Sequence, residues 1–469
     1  IILTLFLSFC KLKWRVYIME KRGNFSNKIG FVLAAAGSAV GLGNIWRFPY
    51  LAAKYGGGTF LLVYLILAIT FGFSLMIAEI AIGRKTGLSA IGAFKALDKR
   101  FGAVGYLAAI IPIIIFPYYS VIGGWVIKYL VTFCSGGGMA AANDNYFGTF
   151  AAGTAEPLIY FFIFIAFTAL VVWFGVEKGI EKVSKVMMPI LVVLTIFIAI
   201  YGLTIDGAKD GLIYYIKPRL SDFTFKTVIA AMGQLFYSMS LAMGIMITYG
   251  SYMKKENNLE SSVRQIEIFD TAIAFLAGLT IIPAVFAFSG GDKAALGKGP
   301  SLMFVTLPKV FDSMPFGSVI GTVFFVLVLF AALTSAISLM ETIVSIFSDK
   351  LGWSRHKATL IVFICAVAIG VLPCLGFGVL DFIHIGAMTI LDIMDFVSNS
   401  ILMPICALFT CILIGFVVKP KAVIDEATRN GEKFKSRNLF VVVIKWVSPI
   451  CLVLILISSI LDALGIFTI

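Results

Sequence analysis

Eleven long apolar runs leave this chain few ways to fold. They cover roughly residues 29–52, 59–83, 103–133, 157–176, 186–205, 227–252, 271–290, 315–347, 358–379, 392–418 and 439–467. A helix needs about 20 predominantly apolar residues to cross a bilayer. Inside hydrocarbon, only helices and closed barrels satisfy every backbone amide and carbonyl. Every run reaches the required length, so the chain reads as an all-α polytopic membrane protein. Only 13% of its 469 residues are charged, against about 25% in soluble domains.

The net charge of +12 follows from the same topology. With the N-terminus inside, 26 of the 37 Lys and Arg fall in the cytoplasmic tail and loops, and nine fall outside. This is the positive-inside asymmetry. It predicts a multi-pass protein of the cell (inner) membrane with a cytoplasmic N-terminus and an extracytoplasmic C-terminus. No nucleic-acid partner is needed to explain the charge. The seven cysteines lack metal-ligand spacing, and His356 and His384 sit apart in loops. No nucleophile–base pair lies in the apolar segments, so the chain does not read as an enzyme. The first eighteen residues are too short a run to span and lack a small-residue cleavage site. Met19 is the expected natural start, with residues 1–18 an upstream extension.

Two of the runs carry residues that break helices. The stretch GSAVGLGNIWRFP, residues 37–49, places Gly37, Gly41, Gly43, Ser38 and Asn44 within an otherwise apolar segment. The sixth run contains GQLFYSMSLAMG, residues 233–244, with four polar side chains. Unwinding there exposes carbonyls and amides that hydrocarbon cannot satisfy, so something polar must fill each gap. Carbonyl and hydroxyl oxygens suit a hard monovalent cation, and amides at a half-helix N-terminus suit a carboxylate. Paired broken helices in corresponding halves point to a transporter's binding site. Helices 1–5 and 6–10 are expected to form two inverted five-helix repeats, followed by an eleventh helix. The boundaries follow: N-terminal segment 1–27, first repeat 28–206, extracellular loop 207–226, second repeat 227–418, cytoplasmic linker 419–438 and last helix 439–469.

The first-run motif, extended to GSAVGLGNIWRFPYLAAKYGGGTF, closely resembles the signature of the neurotransmitter:sodium symporter family. Further matches are E-x-x-x-GR at 79–84, YY at 118–119, KGIEKVSKVMMP at 178–189, GQLFYSMSLAMG and AALTSAISLM at 331–340. Eleven spans resemble the common bacterial branch, which includes carriers of tyrosine and other large hydrophobic amino acids. The resemblance implies symport driven by two sodium ions. The first site would use Ala39, Asn44, Ser238 and Asp270 with the substrate carboxylate. The second would use Gly37, Val40, Ala331, Thr334 and Ser335. The substrate pocket would be lined by Ser38, Ala39, Gly41, Leu42, Gly43, Tyr119, Tyr237, Ser238, Ser240, Met243, Ser335 and Leu339.

Glycine at 41 leaves room for the substrate's own carboxylate where monoamine carriers of the family have an aspartate. Met243 and Leu339 suit a large hydrophobic or aromatic cargo, with tyrosine favoured; small or branched neutral amino acids are the alternative. Arg47 with Asp395, and Arg22 with Asp349, would form the outer and inner gates. Gly179 and Pro189 match an element that lets helix five unwind at its inner end. Asp270 replaces the asparagine of many members, and Ala274 replaces a serine or glutamate. A fixed carboxylate can offset the charge of two sodium ions, so no chloride requirement is expected.

Overall fold

Neither the first nor the sixth run continues as one helix. The computed structural model describes residues 23–292 and 300–463. The expected start at Met19 and the gate cation Arg22 therefore lie outside the described residues. The first span, α1, consists of Lys28–Ala39 and Gly43–Lys54, bent by 55°. Continuous helices follow: α2 Gly58–Thr86, α3 Lys99–Cys134, α4 Ala155–Trp173 and α5 Val176–Leu203. The sixth span, α6, is split into Phe225–Ser238 and Ile245–Tyr252. Each half is too short to cross a bilayer alone. The remaining helices are α7 Leu259–Ser289, α8 Gly317–Leu351, α9 Arg355–Leu375, α10 Ile390–Val417 and α11 Arg437–Asp462. Among the described residues, ten spans are long and apolar enough to cross a membrane if the bent α1 counts as one, and the split α6 falls on the sixth run. The order α1–α5 recurs in α6–α10 with a broken helix opening each half.

Hydropathy locates the apolar middle of a span but not its ends. Thus α5 begins ten residues before the expected 186, and α7 twelve before 271. The added turns are polar, and at α7 the Asn258 side chain accepts from the Ser261 amide at 2.8 Å to start the helix. Pro112 and Pro117 lie inside α3 and Pro189 inside α5 without ending either helix.

Burial ranks the spans. In the most apolar window of α8, 78% of residues are buried inside the protein, against 33% for α11. Helix α8 packs on α3, α5 and the first half of α1, and so forms the wall against which α1 rests. Helix α11 is the least buried of these spans.

The second half of α6 lies unusually close to α2. A Cβ on Gly83 would sit 1.8 Å from the Ile247 carbonyl oxygen, and one on Gly250 would sit 2.3 Å from that of Ile80. Backbone meets backbone on both sides, as at small-residue helix crossings in membranes. Gly83→Ala should therefore destabilise the protein by about 3 kcal/mol, the upper end for overpacking. Thermal melting of the purified variant measures this, and an unchanged melting temperature would contradict the packing.

Candidate functional site: a cavity where two helix breaks meet

The α1 break is held open by α8 and by its own residues. Val40 leaves the helix with ψ 97° while its amide still donates to the Ala36 carbonyl. The Ser335 hydroxyl of α8 reaches the carbonyls of Gly37, Ser38 and Val40 at 3.4, 3.0 and 3.4 Å. Thr334 donates to the Phe330 and Ala331 carbonyls at 3.0 and 3.1 Å. Five residues expected at the second ion site, Gly37, Val40, Ala331, Thr334 and Ser335, are thereby gathered on the α1–α8 contact. Oxygens dominate the cluster, which is what sodium chemistry requires.

The α6 break spans residues 239–244. Ser240 and Ala242 adopt φ of +53° and +61°, a left-handed conformation that costs non-glycine residues about 1 kcal/mol or more each. Two contacts hold it. The Ser240 hydroxyl donates to the Ser38 carbonyl at 2.9 Å, joining the two breaks. The Ala242 amide donates to Glu79 Oε1 of α2 at 2.7 Å. Glu79 is fully buried. Sequence reasoning placed it in a motif but assigned it no role. The signal was present: it is the one carboxylate within the 59–83 apolar run.

Asp270 of α7 is completely buried beside the breaks. Its Oδ1 accepts from Asn44 Nδ2 and from the Ser238 hydroxyl, both at 2.8 Å. Its Oδ2 accepts from Tyr64 at 3.4 Å. Asn44 in turn accepts from the Gly41 amide through Oδ1 at 3.1 Å. Asn44, Ser238 and Asp270 of the expected first ion site are therefore directly linked, and Ala39 lines the adjoining cavity.

About 400 Å³ of space, part of it open to solvent, makes up that cavity. All twelve expected pocket residues line it, joined by Asn44, Ile115 and Ile245. Ile115 and Ile245 were not anticipated, because an isoleucine in an apolar run carries no mark of facing a ligand. Tyr119 accepts from the Leu42 amide at 3.3 Å. Steric limits explain two glycines. A Cβ on Gly41 would come within 2.8 Å of the Ser335 hydroxyl, and one on Gly43 within 2.6 Å of the Tyr237 ring.

The two residues of the expected outer gate, Arg47 and Asp395, are not in contact in this structure, and the inner pair falls partly outside the described residues because Arg22 does. Arg47 and Asp395 make no ion pair within 4 Å. The Arg47 guanidinium lies 5.2 Å from the centre of the Tyr237 ring and donates to the Gly233 carbonyl at 3.4 Å. Asp395 instead accepts from Tyr118 at 2.9 Å and from Asn399 at 2.5 Å. Two neutral donors and an aromatic face thus satisfy charges that were expected to meet directly. At the opposite end, Asp349 accepts from the Ser89 amide at 2.8 Å, where that residue caps a short helix, Ala90–Leu97.

The same end also holds buried groups that sequence reasoning did not identify. Phe25 is buried against Phe31, Tyr249 and Tyr252. Glu181 of α5 accepts from the Ser26 amide at 2.7 Å and pairs with Lys185 at 2.6 Å. Gly179 and Pro189 both lie within helical backbone, with a wide turn over Val176–Glu181.

Comparison with known proteins agrees with this arrangement. The sequence model of the sodium:neurotransmitter symporter family matches residues 22–137 and 151–465. An uncharacterized sodium-dependent transporter of Bacillus subtilis, YhdH, is 36% identical over 94% of this chain and 98% of its own length. A sodium-dependent transporter of Haemophilus influenzae, also uncharacterized, is 32% identical over 94% of this chain and 98% of its own. The crystal structure of MhsT in complex with L-phenylalanine superposes with a TM-score of 0.84 at 36% identity, covering 93% of this chain and all of the other. With its inverted repeats, its two broken helices and the match across nearly its whole length, this chain belongs to the sodium:neurotransmitter symporter family and is a sodium-dependent multi-pass membrane transporter, not an enzyme.

Proposed function

We propose that the protein imports a zwitterionic amino acid with an aromatic or large hydrophobic side chain, tyrosine first among them, together with two sodium ions and without chloride. The observation that carries this reading is the cavity at the junction of the breaks, whose lining combines Ser38, Asn44 and Ser240 with the apolar Ile115, Ile245, Met243 and Leu339. Backbone amides and carbonyls of the unwound segments would receive the α-carboxylate and α-amino groups, and the apolar wall would receive the side chain. The phenylalanine bound in the MhsT structure supports the same class of cargo.

One ion would sit among Ala39, Asn44, Ser238 and Asp270, the other among Gly37, Val40, Ala331, Thr334 and Ser335. Two sodium ions with a zwitterion leave excess positive charge in a low-dielectric site, and the Asp270 carboxylate would offset part of it. Alternating access would then proceed about this midplane site, with the N-terminus cytoplasmic. Arg47 and Asp395 would meet when the outer path closes fully. The inner end of α5 would unwind between Gly179 and Pro189.

The test is uptake of radiolabelled tyrosine and phenylalanine into proteoliposomes under an inward sodium gradient, with gluconate replacing chloride. Concentrative uptake that collapses without sodium is expected. Uptake only of alanine or leucine would reject the aromatic cargo, and a strict need for chloride would reject the role given to Asp270.

A further inference from the structure

We propose that the outer faces of α4 and α9 form a binding site for one anionic phospholipid, away from the transport cavity. A groove of about 610 Å³ runs between these helices. It is lined by Ala166, Ala169, Leu170 and Trp173 of α4 and by Thr359, Leu360 and Phe363 of α9. Two alanines at helical spacing on α4 create the depth, because every neighbouring position on that face is large. From Ala166 to Trp173 the groove runs about 10 Å along the helix, within the depth of one leaflet, which is about 15 Å. The Phe162–Phe363 contact, with ring centres 5.9 Å apart, separates it from a second groove serving the other leaflet.

The groove ends at a polar boundary built to hold an anion. The Trp173 ring, part of the lining, lies 4.5 Å from the ring of His356, which is exposed. Beside it the exposed Lys357 ammonium stands 5.1 Å over Trp353, whose ring stacks on Phe347. Lys357 has no carboxylate within 4 Å among the described residues. The neighbouring Arg355 takes the Glu341 carboxylate, so that acid is not available to neutralise the patch. Two tryptophans at this level match the aromatic belt of a membrane interface. Any lipid chain can lie in the groove, but a phosphodiester with net negative charge is the headgroup that completes it. With the orientation proposed above, this boundary lies on the face of the cationic cytoplasmic loops, which attract anionic headgroups.

Native mass spectrometry of the whole purified protein tests the proposal, with phosphatidylglycerol or phosphatidylcholine of identical chains added stepwise. A single phosphatidylglycerol should be retained at least five-fold more strongly than phosphatidylcholine, about the effect of one basic side chain near an anionic lipid. The double change H356A/K357Q should remove that preference, and Ala169→Leu, which narrows the groove, should reduce retention of both lipids. These positions face lipid, and unchanged melting temperatures of the delipidated variants confirm folding. Equal retention of the two lipids by the unaltered protein, or a preference that survives H356A/K357Q, would overturn the assignment.

Discussion

Asp270→Asn should lower chloride-free, sodium-driven uptake by about a hundred-fold while leaving the protein folded. The substitution keeps the shape and removes the charge. In the structure the carboxylate accepts from Asn44 and Ser238, both at 2.8 Å, and is shut off from water. Hydrogen bonds to a charged group contribute about 1.5–3 kcal/mol each, and the carboxylate would also be a direct ligand of the first ion. Losing about 3 kcal/mol of ion stabilisation weakens sodium binding by roughly a hundred-fold. Reciprocity of coupled binding then requires the substrate to bind correspondingly more weakly.

The readout has a further arm. If the carboxylate stands in for a mobile anion, adding chloride to the Asp270→Asn protein should recover part of the lost transport, and should do nothing for the unaltered protein. Full uptake by the variant in gluconate would show that Asp270 is neither an ion ligand nor a charge substitute. Melting temperature serves as the control for folding.

Glu79→Ala should be nearly as damaging, by a different route. Glu79 touches neither the cavity nor the ion sites; it accepts the Ala242 amide at 2.7 Å in the middle of the α6 break. Its removal leaves a buried amide without an acceptor, a penalty of about 1–3 kcal/mol. It also frees a segment already held at two positive φ angles. Ser240, two residues away, ties that segment to the Ser38 carbonyl. The expected result is a loss of apparent substrate affinity of ten-fold or more together with a lower melting temperature. Glu79→Gln keeps an oxygen in place and should recover most of both. A Glu79→Ala protein with unchanged affinity would show that the α6 break holds its shape without α2.

How much of this was legible beforehand depended on the kind of contact. The cavity lining was read nearly complete because its residues sit at the two breaks, and a break announces itself locally through glycine and polar residues in an apolar run. Ile115 and Ile245 escaped because facing a cavity and facing a neighbouring helix select the same apolar side chain. The partners that Arg47 and Asp395 take in this structure were not legible for another reason. The partner each adopts depends on competition from Tyr118, Asn399 and the Tyr237 ring. Such competition is settled by ångström-scale geometry. The first turns of α5 and α7 were missed because polar helical turns beyond the bilayer core carry no hydropathic signal.

Partition between water and hydrocarbon is a property of consecutive residues, so the sequence by itself determined the eleven spans, their charge asymmetry and the two places where helices must open. The tertiary structure decided which partner each buried charged or polar group would have. Asp270 meets Asn44 across 226 residues, Glu79 meets Ala242 across 163, and Arg84 meets Glu426 across 342. A low-dielectric interior demands a partner for every such group. Only the packing of the helices determines which one comes within reach.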